Sequence, residues 1–88
     1  MNNIKNEHWI PVTTSSGMFS SECAISLELS TGQIVSFFAD KGLIRENAGL
    51  SLLRVFLVND FPEQKKQLVL LPSETFETAS RWAEVATK

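Results

Sequence analysis

Few side chains in this 88-residue chain have the chemistry for catalysis: one histidine (His8), one cysteine (Cys23), four serines around Gly17, scattered carboxylates, and Arg54 inside the apolar run LSLLRVFLV. His8 and Cys23 are the residue types of a base and a nucleophile, and a strand pairing can bring such a pair together. Cys23, however, falls in the apolar register of its segment and reads as a small buried hydrophobe, with no third residue to orient the pair. Ser15, Ser16, Ser20 and Ser21 flank Gly17 without a G-x-S-x-G elbow, so polar loop chemistry accounts for them. Glu22 with Glu28, or Asp40 with Glu46, are candidate acid–base pairs, but acids scattered on a solvated surface are the ordinary case. Gly42 and Gly49 stand alone and form no phosphate-cradling loop. One cysteine excludes an intrachain disulfide or a cysteine-cluster zinc site, and the carboxylates show no metal-ligand spacing. The expectation is a chain that is not an enzyme and that carries neither cofactor nor metal.

Arg54 has two readings. Buried, it must meet a carboxylate, because an unpaired charge in a core is prohibitive; Glu28 and Asp40 are the candidates from neighbouring strands. Turned outward, its stem covers apolar surface while the guanidinium stays in water. The outward reading is the simpler one. Its functional alternative is an anchor for an acidic group of a partner or ligand.

The element best specified by sequence is the segment 23–39, CAISLELSTGQIVSFFA. Cys23, Ile25, Leu27 and Leu29 alternate with smaller or polar residues, the period of a strand with one apolar face. Ser30-Thr31-Gly32 then supplies a hairpin loop with glycine at the position that needs a left-handed residue. A turn with a glycine bulge sets Leu27 opposite Val35, Ile25 opposite Phe37 and Cys23 opposite Ala39, which gathers the apolar side chains on one face. A register one residue longer would bring Ile34 and Phe38 there instead. In the preferred register Ile34 and Phe38 lie on the other face and need a cover: another part of the chain, a second subunit, or a different partner.

Around this hairpin, residues 1–7 read as a frayed terminus and His8–Thr14 as a first strand that Pro11 restricts to a sheet edge or a bulge. The second strand is placed at about 19–30 and the third at about 33–39. Residues 43–49 form one helical turn or a loop. Leu50–Asn59 is a fourth strand, apolar on both faces and so expected in the middle of a sheet or inside a barrel. Gln67–Leu71 is a fifth strand, antiparallel to the fourth across a short polar loop. Pro72-Ser73-Glu74 opens a C-terminal helix over about 73–87, with Ser73 as N-cap. Phe76, Ala79, Ala83 and Ala86 form its inner stripe, and Phe76 and Trp82 anchor it to the sheet.

The whole reads as one domain, 1–88: mainly β with one C-terminal helix, a small five-stranded antiparallel curled sheet or barrel. The rival is an open α+β sheet with the helix on one face. In size and strand rhythm the outline resembles an SH3-like barrel. The chain has no tyrosine, though, so the proline-peptide groove of SH3 domains is not carried over. A net charge of −2 and a pI near 5.3 count against nucleic acid, since the one adjacent basic pair, Lys65-Lys66, sits in a loop. No apolar run is long enough for a membrane span and no signal-peptide pattern is present, which leaves the cytoplasm as the expected location. The function expected is a non-enzymatic protein-interaction or accessory module. Its partner is a second copy of itself or another protein, and Ile34, Phe38 and Arg54 are its surface candidates. The alternative is a small-molecule binder with a pocket between sheet and helix, lined by Phe76 and Trp82.

Overall fold

The computed structural model describes residues 6–87. Seven strands follow one another: β1 (Glu7–Ser16), β2 (Glu22–Glu28), β3 (Ile34–Asp40), β4 (Ile44–Asn47), β5 (Leu50–Phe61), β6 (Lys66–Leu70) and β7 (Trp82–Ala86). All pairings are antiparallel, in the order β3-β2-β1-β5-β6-β7, with β4 on β5 beside the end of β6. The sheet is mainly β and curled, as expected, but it has two more strands than expected and no α-helix among the described residues. The expected frayed segment 1–7 lies outside the described residues except for its last two; of these, Glu7 opens β1.

The 23–39 hairpin has the register that its apolar alternation dictates. Leu27 pairs with Val35, Ile25 with Phe37 and Cys23 with Ala39. The Gly32 N–H donates to the Leu29 carbonyl at 2.9 Å, and the Leu29 N–H to the Gln33 carbonyl at 2.8 Å, a turn closed by a bulged glycine at φ 94°. A Cβ there meets no neighbour within 4 Å, so the requirement is backbone conformation alone. Gly32→Ala should therefore cost about 1 kcal/mol in a urea melt; a neutral result would show that the turn relaxes to another form.

β1 joins the two halves of the sheet. Residues 13–16 pair with β2 and residues 7–12 with β5, so β2 has already separated where Pro11 sits opposite Leu52. A residue with no N–H is tolerated on such a one-sided stretch. The inner face carries Ile10, Ile25, Leu27, Val35, Phe37, Leu53, Val55, Val69, Ala83 and Val85, all buried. Cys23 only borders this core, half-buried. Ser16 opposite Cys23 is eight residues along β1 from His8, about 25 Å at strand rise. The two cannot form a catalytic pair.

The expected helix over 73–87 is instead a loop and a strand. Trp82–Ala86 alternates with period two, putting Ala83 and Val85 into the core, and pairs with β6 from Leu70↔Trp82 to Lys66↔Ala86. The loop before it closes on itself: the Leu71 N–H donates to the Arg81 carbonyl at 2.7 Å and the Arg81 Nε to the Leu71 carbonyl at 2.8 Å. Within it, Thr75 is buried, and its hydroxyl accepts from the Thr78 N–H at 3.1 Å; the Ala79 N–H donates to the Thr75 carbonyl, and Ala79 takes φ 53°. Threonine side chains that bond the local backbone compete with helix propagation, and a left-handed residue ends the single turn. Ser73, the expected N-cap, donates its hydroxyl to the Phe38 carbonyl at 3.0 Å.

This loop covers the edge of β3. The Phe76 N–H donates to the Ser36 carbonyl at 2.9 Å, and the Ser36 N–H and hydroxyl donate to the two oxygens of Glu77 at 2.7 and 2.6 Å. The Ser36 hydroxyl, followed by the Ser36 N–H, holds the Glu77 carboxyl below its ordinary pKa. A depressed folded-state pKa stabilises above the unfolded value of about 4.3 and is lost as pH falls through the folded value. Glu77→Gln should lower stability at pH 7–8 by a constant small offset and remove that part of the acid-unfolding profile, so that the variant and wild type converge as pH falls. An unchanged acid limb would show that the Ser36–Glu77 pair does not persist in solution.

Candidate functional site: an aromatic and arginine-bearing sheet face

Strand β5 is apolar on both faces, but only one of them is used by the core. Leu53 and Val55 are buried inside, while Leu52, Arg54 and Phe56 point outward by strand alternation. Glu7, Phe56, Leu70 and Trp82 are successive cross-strand neighbours on β1, β5, β6 and β7, one row across the outer face. Phe56 is 50% exposed and Trp82 56%. In the next row Trp9 pairs with Arg54, and the Arg45 guanidinium from β4 lies over the Trp9 ring, 4.0 Å from its centroid. That contact is a cation–π stack, favoured by the delocalised guanidinium. Arg54 Nε is 3.4 Å from the Glu7 carboxylate, a partly exposed pair of small energetic value. Arg54 thus takes the outward placement, and its acid is Glu7, because β1 and not β2 or β3 flanks this part of β5.

A notch interrupts this face. β4 pairs with β5 as far as Leu53, and β6 begins its pairing at Phe56, so Arg54 has no strand beside it on that edge. Pro72, with no N–H to offer, stands two residues past the end of β6 on one side, and the turn at 41–43 leads into β4 on the other. The depression has a volume of about 250 Å³, and its walls include Leu43, Phe56, Leu70, Pro72, Arg54 and Arg81. The chain has only three arginines, at 45, 54 and 81, within a net charge of −2. Two of them border this notch and the third stacks on the adjacent Trp9.

A second cavity, of about 540 Å³, opens where β1 parts from β2. Ile10, Leu27 and Val85 line its apolar part, and His8 and Gln67 share a hydrogen bond of 3.0 Å at its rim. Among the described residues no group of three histidine, cysteine or acidic side chains is placed to hold a metal ion.

The residues expected at a surface site are not one cluster. Ile34 is exposed at the start of β3, opposite Glu28. Phe38 lies on the same outer face of the hairpin but is covered from within the chain: the Phe76 ring meets it edge-on with centroids 5.5 Å apart. Arg54 belongs to the separate face on β5. The expected sheet–helix pocket does not form. Phe76 is 66% exposed on the loop, Trp82 sits on the outer face of β7, and neither lines any of the cavities described above. Sequence reasoning missed Trp9, Phe56, Arg45 and Arg81. The signal available for them was β5 itself, a strand with two apolar faces in a chain too short to cover both. No family model, curated protein or solved structure matches this chain.

Proposed function

We propose that this chain is a non-enzymatic interaction module, acting in the cytoplasm, that docks another protein on the outer face of β1, β5, β6 and β7. The observation that carries the reading is the continuous row of Phe56, Leu70 and Trp82 beside Trp9, in which Phe56 and Trp82 are exposed and Leu70 and Trp9 half-buried, bordered by arginines. Tryptophan and arginine are the residues that dominate binding energy at protein interfaces, and an exposed apolar patch rimmed by polar groups marks such a surface. Self-association is the weaker version. A two-fold dimer on this face meets the same arginine-bearing patch on the second copy, and Glu7 of that patch is already engaged by Arg54.

A small-molecule site in the cavity between β1 and β2 is the second reading, supported by its volume and apolar lining. The two readings separate by experiment. Affinity capture from cells that produce the protein should retain a partner on the wild-type chain and lose it on Phe56→Ala. Equal capture by both chains would move the site elsewhere. A chain that captures nothing, stays monomeric and gains thermal stability with a small ligand would favour the cavity.

A further inference from the structure

We infer that the notch at Arg54 is an anchor for a carboxylate carried on an apolar segment of the docking partner; this rests on the reading of the outer face as an interface. Residues of an antiparallel ladder aim their N–H and C=O groups alternately at one neighbour and the other. The two-residue turn Ala48-Gly49, with φ 54° and 83°, joins Asn47 to Leu50 and makes them a mutually bonded pair. Counting by twos, Leu52, Arg54 and Phe56 aim at that same edge, so Leu52 bonds Arg45 and Phe56 bonds Leu70. Pro11 opposite Leu52 agrees, having no N–H for β5. Between those two rungs the main-chain N–H and C=O of Arg54 face the notch, where no described strand supplies a partner.

Two guanidiniums stand beside that open rung. Arg81 spends its Nε–H on the Leu71 carbonyl, which fixes the side chain and leaves its two terminal nitrogens for a ligand. Arg54 holds Glu7 only through Nε at 3.4 Å. Guanidinium forks bind carboxylates in two-point contacts, and Leu43, Phe56 and Leu70 supply apolar wall beside them. At about 250 Å³ the notch is below the range of sites that enclose a whole small molecule, and it opens onto Phe56 and Leu70 of the docking face. It fits one acidic side chain of a segment that lies across the sheet. The charge is complementary as well: an acidic chain has placed all three of its arginines at this one face.

The test uses three capped peptides, acetyl-Leu-Leu-Glu-Leu-Phe-amide and its glutamine and lysine counterparts, titrated into the whole chain and followed by backbone amide shifts. The glutamate peptide should give saturable shifts at Leu43, Arg54, Phe56, Leu70 and Arg81. The glutamine peptide should bind at least about fivefold more weakly, and the lysine peptide more weakly still. Arg81→Gln should bring the glutamate peptide to the glutamine level, and Arg54→Gln, which leaves the Arg81–Leu71 bond in place, should do so in part. Equal affinity for the glutamate and glutamine peptides, with shifts on the same face, would overturn the carboxylate anchor and keep the docking face. Shifts confined to other surfaces, or none with any peptide, would overturn both.

Discussion

Replacing Phe37 by alanine should cost about 3–5 kcal/mol in a urea or thermal melt, the largest stability loss expected of any single substitution here. Phe37 is 1% exposed, lies opposite Ile25, and is the largest of the fully buried side chains. Removing its ring takes away both its transfer free energy and the contacts of the atoms around it. The neighbouring strands cannot collapse into the space, because their register is pinned by the Gly32 turn at one end and by the Ser36–Glu77 bonds on the outer edge. For 88 residues the whole stability is about 4–13 kcal/mol, so the variant will be largely unfolded at 37 °C if the native chain lies in the lower half of that range. Ile34→Ala, three residues earlier on the same strand but exposed, should change stability by no more than about 0.5 kcal/mol. A loss below about 1.5 kcal/mol for Phe37→Ala, or equal losses at the two sites, would mean that the hairpin faces the core with its other side.

The second large effect is on association. Phe56→Ala and Trp82→Ala should each weaken binding of the captured partner by about 2 kcal/mol or more, roughly 30-fold. Their melts should stay within about 1 kcal/mol of wild type, since both rings are half in water in the free chain. The separation of the two readouts is the content of the prediction. A core residue lowers both together, whereas an interface residue moves affinity alone. Phe19→Ala is the matched control, an exposed aromatic on the loop between β1 and β2 and distant in the sheet order from β6 and β7. If Phe19→Ala weakens binding as much as Phe56→Ala does, the outer face of β5 is not the site.

The β2–β3 hairpin was legible because three signals agreed: period-two alternation, a glycine where the turn needs positive φ, and a register that puts every large apolar residue on one side. The central place of β5 was legible from its apolar content, yet which of its two apolar faces the core would use was not. An 88-residue chain has one layer of core to offer, and the second face was left for the surface. The C-terminal helix failed for a related reason. Ala79, Ala83 and Ala86 fit a helical stripe, but Ala83 and Val85 also fit a strand, and nothing local decides between the two periods. The decision comes from β6, whose free edge takes WAEVA as a partner, and from the Thr75–Thr78 and Ala79 geometry that stops the helical turn. Long-range pairing likewise determined the site. Trp9 and Arg54 are 45 positions apart, and Arg45 reaches the Trp9 ring only because β4 folds back along β5. No sequence window contains that arrangement.

The most direct measurement is hydroxyl-radical footprinting of the chain in extract of the cells that make it, compared with the purified chain in buffer. The docking account predicts that Phe56 and Trp82, and the half-buried Trp9 to a smaller extent, lose reactivity in the extract, while Met18, Phe19, Ile34 and Phe76, all exposed in the free chain, keep theirs. Protection of Ile34 and Phe76 with Phe56 and Trp82 still fully reactive would contradict it, and so would identical patterns in extract and buffer.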